Sequence, residues 1–325
     1  MLGYILRRVL ESAGVLLVMS FIVFVGVYEI GDPVEMMISP DATQADIAKT
    51  RGSLGLDQPL PVQYLRFIRG ALSGDLGRSY VYSMPAVKLI LERMPATMEL
   101  AFAAMFIALV AGIPLGLWAG LRSESWSGKA ILSASILGFS LPTFWVGLML
   151  ILVFSVYLGW LPTGGRGATV SVLGVPLSIL TWDGWRHLFM PGLNLALFNL
   201  SLVTRLARSG TQDALVQDYV KFARAKGLSP ARIVFVHILK NILIPIVTIV
   251  GLEFGSVVAF SIVTESIFAW PGMGKLIIDS INVLDRPIIV AYLLVVVILF
   301  VFINLVVDIV YSLLDPRVVL SDART

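Results

Sequence analysis

Residues 211–240 read TQDALVQDYVKFARAKGLSPARIVFVHILK. This stretch is polar and basic, and it lies between two apolar stretches of an otherwise apolar chain. Residues 205–240 contain seven Lys or Arg residues and two Asp residues, which gives this longer segment a net charge of +5. We therefore expect it to form a folded loop on one side of a membrane.

Within this loop the sequence predicts a helix, a break and a second helix. Residues 216–226 contain neither Gly nor Pro and predict a short helix. Gly227 ends it, because a helix often needs a left-handed residue just past its last turn. Ser229 offers an N-cap oxygen, and Pro230 suits the first position of the next helix. An elbow of this kind is suited to binding a soluble partner.

The composition indicates a polytopic membrane protein. Of the 325 residues, 58% are hydrophobic and only 14% are charged, whereas soluble domains carry roughly 25% charged residues. A net charge of +3 over the whole chain does not indicate a nucleic-acid-binding protein. The absence of Cys excludes disulfides and cysteine nucleophiles, and with two His residues a histidine-built metal site is not expected.

Apolar runs predict six transmembrane helices, because a bilayer requires about 20 mostly apolar residues per span. They are Val9–Val27, Met98–Leu121, Ala130–Leu158, Leu188–Val203, Asn241–Val263 and Ile288–Tyr311. The third run is interrupted at Leu141-Pro142. The first follows Arg7 and Arg8, as in a signal peptide, but it is long and lacks a small-residue cleavage site, so we interpret it as a retained helix.

The remaining segments complete the expected domain organisation. Residues 31–97 hold no 18-residue apolar run and predict a folded extramembrane insert, with a helix over Val62–Leu72. Leu173–Leu180 is apolar but too short to span, so a re-entrant or surface segment is favoured over a seventh helix. The domains are an N-terminal helix (1–30), the insert (31–97), a five-helix core containing the 211–240 loop (98–316) and a tail (317–325).

Charge bias predicts which side of the membrane each loop faces. With the N-terminus inside, short inside segments hold 13 of the 24 Lys and Arg residues, and short outside loops hold four. The insert holds the other seven, but a loop longer than about 60 residues contributes little to this bias. Both termini and the 211–240 loop are therefore expected in the cytoplasm.

The sequence resembles the permease subunits of bacterial ABC importers for oligopeptides, dipeptides or nickel complexes, essentially from end to end. The motifs that carry the resemblance are Leu6-Arg7-Arg8, Leu54-Gly55-Leu56-Asp57-Gln58-Pro59-Leu60-Pro61-Val62-Gln63-Tyr64, Gly74-Asp75-Leu76-Gly77-Arg78-Ser79, Ala223-Arg224-Ala225-Lys226-Gly227, Glu265-Ser266-Ile267-Phe268 and Pro271-Gly272-Met273-Gly274. The resemblance implies the all-α, six-helix type I importer permease fold, in the bacterial cytoplasmic membrane, with an extracytoplasmic insert after helix 1. It also implies a sister permease, two cytoplasmic ATPases that hold ATP and Mg, and an extracytoplasmic solute-binding protein. No cofactor is expected on this chain.

In that family the glycine-containing cytoplasmic loop is a coupling helix that docks on the ATPase. Ala223 and Gly227 match the second Ala and the Gly of the general importer signature. Lys221, Phe222 and Lys240 depart from it, and these departures fit the peptide-importer branch.

The residue types in this loop support docking independently of the resemblance. Small residues allow a partner backbone to approach closely, apolar residues offer anchors for insertion, and cations can meet acidic partner groups. The expected coupling residues are Tyr219, Phe222, Ala223, Arg224, Ala225, Lys226, Gly227 and Leu228. The alternative is that the basic loop only satisfies the positive-inside rule.

Two features within the spans have alternative interpretations. Glu253 lies near the middle of the fifth span, where a lone charge costs roughly 2.5–3.5 kcal/mol on insertion scales. It is a candidate for the lining of the translocation path, or else a protonated or hydrogen-bonded helix contact. Gly112, Gly116 and Gly120 recur every four residues on the second span and predict close helix packing in preference to ligand binding.

No catalytic motif is present. Residues 271–275 superficially resemble a phosphate loop, but Ala269 and Leu276 occupy the positions where Gly and Ser or Thr are needed. The chain is therefore expected to be the non-catalytic, peptide-transporting subunit of an ATP-driven importer. The alternatives are a permease for nickel or another small solute, and, from other classes of protein, a membrane enzyme as a weaker second hypothesis and a stand-alone secondary carrier or channel as the third.

Overall fold

The computed structural model describes residues 2–28, 34, 38, 43–53 and 55–314, without the side chains of 2–9, 12, 27, 28 and 308–314. The helices are α1 (Leu2–Tyr28), α2 (Gln44–Ser53), α3 (Leu60–Leu72), α4 (Ala86–Leu121), α5 (Trp126–Ser140), α6 (Thr143–Tyr157), α7 (Trp182–Leu215), α8 (Asp218–Ala225), α9 (Pro230–Ile267), α10 (Met273–Asn282) and α11 (Arg286–Leu314). The π-helical turns Ile151–Tyr157 and Ile233–Ile238 belong to α6 and α9. The expected tail, residues 317–325, lies outside the described residues.

The described helices confirm an all-α membrane architecture. Four of them, α4, α7, α9 and α11, are long and apolar enough to cross a bilayer, and α5 with α6 makes a fifth if the pair is counted as one span. The predicted first span corresponds to α1. Its helix has 27 residues, but its apolar portion, Ala13–Gly26, is shorter than the roughly 20 residues that usually cross.

The predicted third span is two helices that meet at an angle of 106°. The break lies at Leu141-Pro142, as expected, and its cause is local. A proline disfavours helical geometry in the residue before it, and Leu141 is extended with ψ 135°. Pro142 then precedes the first turn of α6. The segment is therefore not one straight span.

The other differences from the predicted elements concern helix length, and the structure decides between the two interpretations of one short segment. α7 and α9 are 34 and 38 residues long and extend well beyond the apolar runs Leu188–Val203 and Asn241–Val263. Leu173–Leu180 contains a strand of an exposed hairpin, which agrees with the surface-segment alternative and not with the re-entrant one. β2 (Val175–Leu177) pairs antiparallel with β1 (Val170–Val172) to form this hairpin.

The chain divides into two compact units, residues 1–96 with 271–302 and residues 97–270 with 303–325. In the first unit, buried Asp285 joins two segments distant in sequence. Ser79 Oγ donates a hydrogen bond to Asp285 Oδ2 at 2.5 Å, and the backbone N–H of Tyr80 donates to Oδ1 at 3.2 Å. Burial raises the pKa of the Tyr80 hydroxyl. The insert motif Gly74–Ser79 is thus fixed to the turn before α11.

In the second unit, buried polar groups join the helices. Thr97 and Ser261 both donate hydrogen bonds to Oε1 of buried Glu265, at 2.7 and 3.0 Å. Asn194 donates to Thr264 Oγ1 at 3.0 Å. Polar groups removed from water need such partners, because an unpaired group costs free energy. These bonds connect α4 and α7 to the C-terminal part of α9.

A buried ion pair holds the hairpin. Arg166 lies 2.8 Å from Glu99 Oε2 and also donates to the Pro176 carbonyl at 2.6 Å, while Ile179 N–H donates to Glu99 Oε1 at 2.6 Å. Both charged side chains are almost fully buried. The loop between α6 and α7 is therefore tied to the beginning of the apolar part of α4.

Candidate functional site

The candidate site is the elbow, which we define as residues 216–232 between α7 and α9. Its first helix, α8, ends in a Schellman motif, a paired set of backbone hydrogen bonds past the last turn. Leu228 N–H donates to the Ala223 carbonyl at 3.2 Å, and Gly227 N–H donates to the Arg224 carbonyl at 2.9 Å. Gly227 adopts φ +74°, the left-handed conformation that this motif requires. The predicted role of Gly227 as the end of the helix is confirmed.

The second helix of the elbow starts as predicted. Ser229 Oγ accepts a hydrogen bond from Arg232 N–H at 3.4 Å, and Pro230 occupies the first helical turn. The first helix begins at Asp218, slightly later than predicted, with Gln217 as its N-cap residue. The elbow is therefore specified by short-range capping on both sides of the glycine.

The inner face of the elbow packs on the chain itself. Val220 and Ala223 are buried, and Leu228 is half-buried against the same apolar core. The other buried members of that core are Leu117, Val203, Ala207, Ala214, Ile233, Ile238, Ile242 and Ile246. Ala223 was expected on a surface open to a partner, and the structure places it inside. Its small side chain lets α8 lie close to α7 and α9.

The outer face of the elbow is open. Tyr219 and Phe222 project from α8, and 62% of the Phe222 residue is exposed. The Lys226 ammonium lies 4.5 Å from the centre of the Phe222 ring, within range of a cation–π contact. Arg224 and Ala225 are also exposed on α8. Phe222 and Lys226 thus share one exposed surface, and Tyr219 and Arg224 add an aromatic ring and a cation to the exposed part of the same helix.

The exposed charge of the elbow is predominantly basic. Lys221 pairs with Asp218 at 3.0 Å, but both side chains are exposed, so the pair contributes little to stability. Arg224, Lys226 and Arg232 form no ion pair with another described residue. This surface has the charge expected of one that meets acidic groups.

Space around Gly227 is also open. A Cβ added at this position would have no heavy atom within 4 Å. As far as the described residues are concerned, only the left-handed backbone conformation requires glycine here. Any need for a small residue would have to come from a partner.

A close pair of long helices supports the elbow. A Cβ added to Gly116 would lie 2.5 Å from the Thr204 carbonyl oxygen, and one on Gly120 would lie 2.6 Å from Thr211 Cβ. Gly112 similarly lies against Val203. The predicted packing role of the three glycines is confirmed. α4 approaches α7 closely along the half of α7 that leads into the elbow.

The structure places Glu253 apart from the elbow, within α9. Its side chain is half-buried and forms no hydrogen bond or ion pair with any described residue.

Three other acidic residues, Glu99, Glu265 and Asp285, are almost fully buried and have hydrogen-bond partners. Their burial was not predicted, although Glu99 and Glu265 interrupt or border apolar runs of the sequence and could have indicated it. Among the described residues, no group of three or more His, Cys, Asp or Glu side chains is placed to hold a metal ion.

Comparison with known proteins covers nearly the whole chain. The sequence profile of the family "Binding-protein-dependent transport system inner membrane component" matches residues 112–320, and the profile of its N-terminal region matches residues 1–101. The glutathione transport system permease protein GsiC of Salmonella paratyphi A is 38% identical over 98% of this chain and 99% of its own length. The oligopeptide transport system permease protein AppB of Bacillus subtilis is 40% identical over the same shares.

A solved structure shows the same fold. The MetNI methionine ABC transporter, in inward-facing conformations, matches with a TM-score of 0.54 over 70% of this chain and 96% of the matched chain. At 16% identity this likeness concerns the fold alone, which is that of type I ABC importer permeases. Sequence profiles and full-length relatives lead to one conclusion. The chain belongs to the family of binding-protein-dependent transport system inner membrane components.

Proposed function

We propose that this chain is the permease subunit of an ATP-driven importer that moves peptides across the cytoplasmic membrane. Two relatives that align with this chain over nearly its full length and theirs are named as glutathione and oligopeptide permeases. Glutathione is itself a small peptide, so both names agree on the chemical class of the solute. In this proposal the chain has no catalytic role, and ATP and Mg bind to separate ATPase subunits.

The outer face of the elbow is proposed to be the surface that receives the ATPase. The supporting observation is the exposure of Tyr219 and Phe222 on a helix whose opposite face is fixed to the core by Val220 and Ala223. Exposed aromatic anchors on a rigid support are typical of energetically important interface residues. Arg224 and Lys226 would meet acidic groups, while Ala225 and Gly227 would allow close approach. Movement of the ATPases would then pull directly on α7 and α9.

We further propose that both termini and the elbow face the cytoplasm, in agreement with the bias of Lys and Arg among the short loops. The insert (31–97) and the loops at 159–187 and 264–287 would then receive the loaded solute-binding protein on the other side. A sister permease would complete the translocation path. Glu253 is the candidate in this chain for a residue that lines that path.

Cross-linking from a single cysteine tests the proposal, because the natural chain contains none. A tagged Ala225→Cys chain would be expressed in its own host, treated with a short cross-linker that joins thiols to amines, and purified in mild detergent. Mass spectrometry would then identify the linked chains. We expect an ATPase with a Walker motif, together with a second permease that co-purifies.

The matched control is Gln58→Cys in the insert, an exposed position on the opposite side of the membrane in this proposal. It is expected to link to no ATPase. If Ala225→Cys gave only the chain itself or a homo-oligomer, the coupling role would be wrong, and a stand-alone carrier or channel would become the leading function. ATP-dependent uptake into membrane vesicles, compared for dipeptides, longer peptides, glutathione and nickel complexes, would distinguish the peptide solute from the nickel alternative.

A further inference from the structure

Helix α3 has three distinct sides. Tyr64 and Phe67 lie on the side that packs on α1, and Arg66 and Arg69 lie on the opposite, exposed side. Between these two sides, helical geometry places Leu65, Ile68 and Leu72 along one strip, because residues three, four and seven positions apart share a face. Leu65 is 68% exposed and Leu72 is 87% exposed. The helix therefore presents an apolar strip that is exposed at Leu65 and Leu72 and half-buried at Ile68, with cations along its far edge.

The contacts of α3 with α1 are made along the apolar portion of α1. The Tyr64 ring lies 5.4 Å from both Phe21 and Phe24, measured between ring centres, and Phe67 stacks on Phe24 at 5.6 Å. The Tyr64 hydroxyl is 2.9 Å from Ser20 Oγ. Each of these α1 residues belongs to the apolar portion Ala13–Gly26.

These contacts set the depth of α3. Ser20 lies six residues before Gly26, and at 1.5 Å per residue this places it about 9 Å inside the end of the apolar portion. Amphipathic helices that lie in a membrane interface bury their apolar face by roughly 5–10 Å. Phe24 lies only two residues, about 3 Å, inside the same end, so α3 contacts mainly the half of the apolar portion nearer to Gly26, a depth that an interfacial helix can reach.

We propose that α3 lies in the membrane interface, with Leu65, Ile68 and Leu72 in the acyl region and Arg69 at the phosphate groups of phospholipids. The strip continues the exposed apolar surface of α1, on which Leu17, Val18 and Phe21 are open. Lipid is the occupant that covers both surfaces at once. Arg69 supplies the complementary charge, and a long side chain can extend from an apolar face to the headgroups.

The position of the cation agrees with this assignment. Arg69 follows Leu65 by four residues and precedes Leu72 by three, so it borders the strip along one helical edge. It is exposed and forms no ion pair with a described residue. Arg66, one turn earlier, lies against the turn at Gly55 and is less free to extend.

Nitroxide labels at single cysteines measure the depth directly. The complex that contains the full chain, carrying Leu65→Cys or Leu72→Cys, would be reconstituted in vesicles of phosphatidylethanolamine and phosphatidylglycerol. Collision with oxygen, which concentrates in lipid, would be compared with collision with a water-soluble nickel chelate. We expect oxygen to dominate at both positions. Gln58→Cys, just before α3, is the control, and there the nickel chelate should dominate. The cysteine-free chain supplies the background from partner thiols.

Two other results would overturn the proposal. Dominant collision with the nickel chelate at Leu65 and Leu72 would place the strip in water. An immobile label shielded from both reagents would mean that another protein subunit covers the strip. Arg69→Gln tests the headgroup contact separately, with Leu72→Cys as the reporter. The label should shift toward water in phosphatidylglycerol vesicles and shift less in phosphatidylcholine vesicles. An equal depth with and without Arg69 would remove that contact.

Discussion

Phe222 and Lys226 form a single structural feature at the end of α8, with the ammonium nitrogen 4.5 Å from the ring centre. They are four residues apart, so they are neighbours on one face of the helix. An exposed cation–π contact contributes only about 0.5–1 kcal/mol, but it limits the orientations of the ring. A ring that is already oriented loses less entropy when a partner binds it. In the proposed coupling role, the pair would therefore be preorganised for docking.

The first prediction concerns this ring. Phe222→Ala should weaken binding of the ATPase by about 2 kcal/mol, or about 30-fold in Kd, as expected for a central aromatic anchor. Folding and insertion should be largely unchanged, because Phe222 is 62% exposed and is not one of the buried residues of the core. Titration of purified ATPase against the reconstituted permease measures the effect. Lys226→Gln should cause a smaller loss, about 5-fold or less, since only the weak ring contact and one charge are removed.

Phe235 provides a matched control for this experiment. It has the same side chain, is 65% exposed compared with 62% for Phe222, and lies in the π-helical turn near the start of α9, just outside the elbow residues 216–232. Phe235→Ala should leave the affinity for the ATPase unchanged. Equal losses for the two variants would mean that general apolarity, and not the outer face of the elbow, controls binding.

The second prediction separates two roles of Gly227. Its φ of +74° costs a residue with a Cβ about 1–2 kcal/mol, less for Asn and more for a β-branched residue. Space is not limiting within the chain. If backbone conformation alone matters, Gly227→Asn should transport nearly normally and Gly227→Val should be uncoupled but still inserted. If a partner needs the absence of a side chain, both variants should be uncoupled. Uptake per inserted chain measures this, and normal transport by Gly227→Val would contradict the elbow's proposed role.

The third prediction concerns the support of the elbow. A Cβ at Gly116 would lie 2.5 Å from both the Thr204 oxygen and Ala207 Cβ, so Gly116→Ala must push α4 away from α7. Overpacking of this kind typically costs 1–3 kcal/mol. The variant should unfold at a lower temperature in detergent. Gly14→Ala is the control, because an added Cβ at that exposed helical site meets nothing within 4 Å.

The elbow was predictable from sequence because its determinants are local. Gly227, Ser229 and Pro230 each act through hydrogen bonds or dihedral angles within a few residues of themselves. The same is true of the break at Leu141-Pro142. The small-residue repeat of α4 also predicts its own packing, because a helix face of small residues lets another helix approach closely.

The burial of Ala223 could not be predicted in the same way. Which face of α8 points inward depends on where α7 ends and α9 begins, and both helices extend beyond the apolar runs that identified them. The sequence 170–177 presents the same difficulty. Its strands are short and apolar, and they form a hairpin in the structure. That hairpin is held by the tertiary ion pair Glu99–Arg166, whose members are distant in sequence.

The fourth prediction tests that ion pair. Removing one member of a buried pair leaves an uncompensated charge and typically costs 3–5 kcal/mol. Arg166→Ala should therefore destabilise the hairpin strongly, because its contact with the Pro176 carbonyl is lost as well. Limited proteolysis between residues 166 and 180 should become faster. Lys88→Ala, which removes one member of the exposed Lys88–Glu92 pair, should leave the cleavage pattern unchanged, since exposed pairs contribute about 0–1 kcal/mol. Equal effects of the two changes would contradict this account.

The last prediction concerns Glu253. A carboxyl group within an apolar span is retained at a cost, and here no described residue hydrogen-bonds or pairs with it. We therefore expect it to meet something that passes along the path, such as the ammonium group of a peptide. Glu253→Gln should reduce uptake of a peptide with a free N-terminus several-fold and affect its N-acetylated form much less. Glu124→Gln, at an exposed loop position, should affect neither. If uptake of both peptides were unchanged by Glu253→Gln, the carboxyl group would be a helix contact, and a residue of the sister permease would have to recognise the peptide's charge.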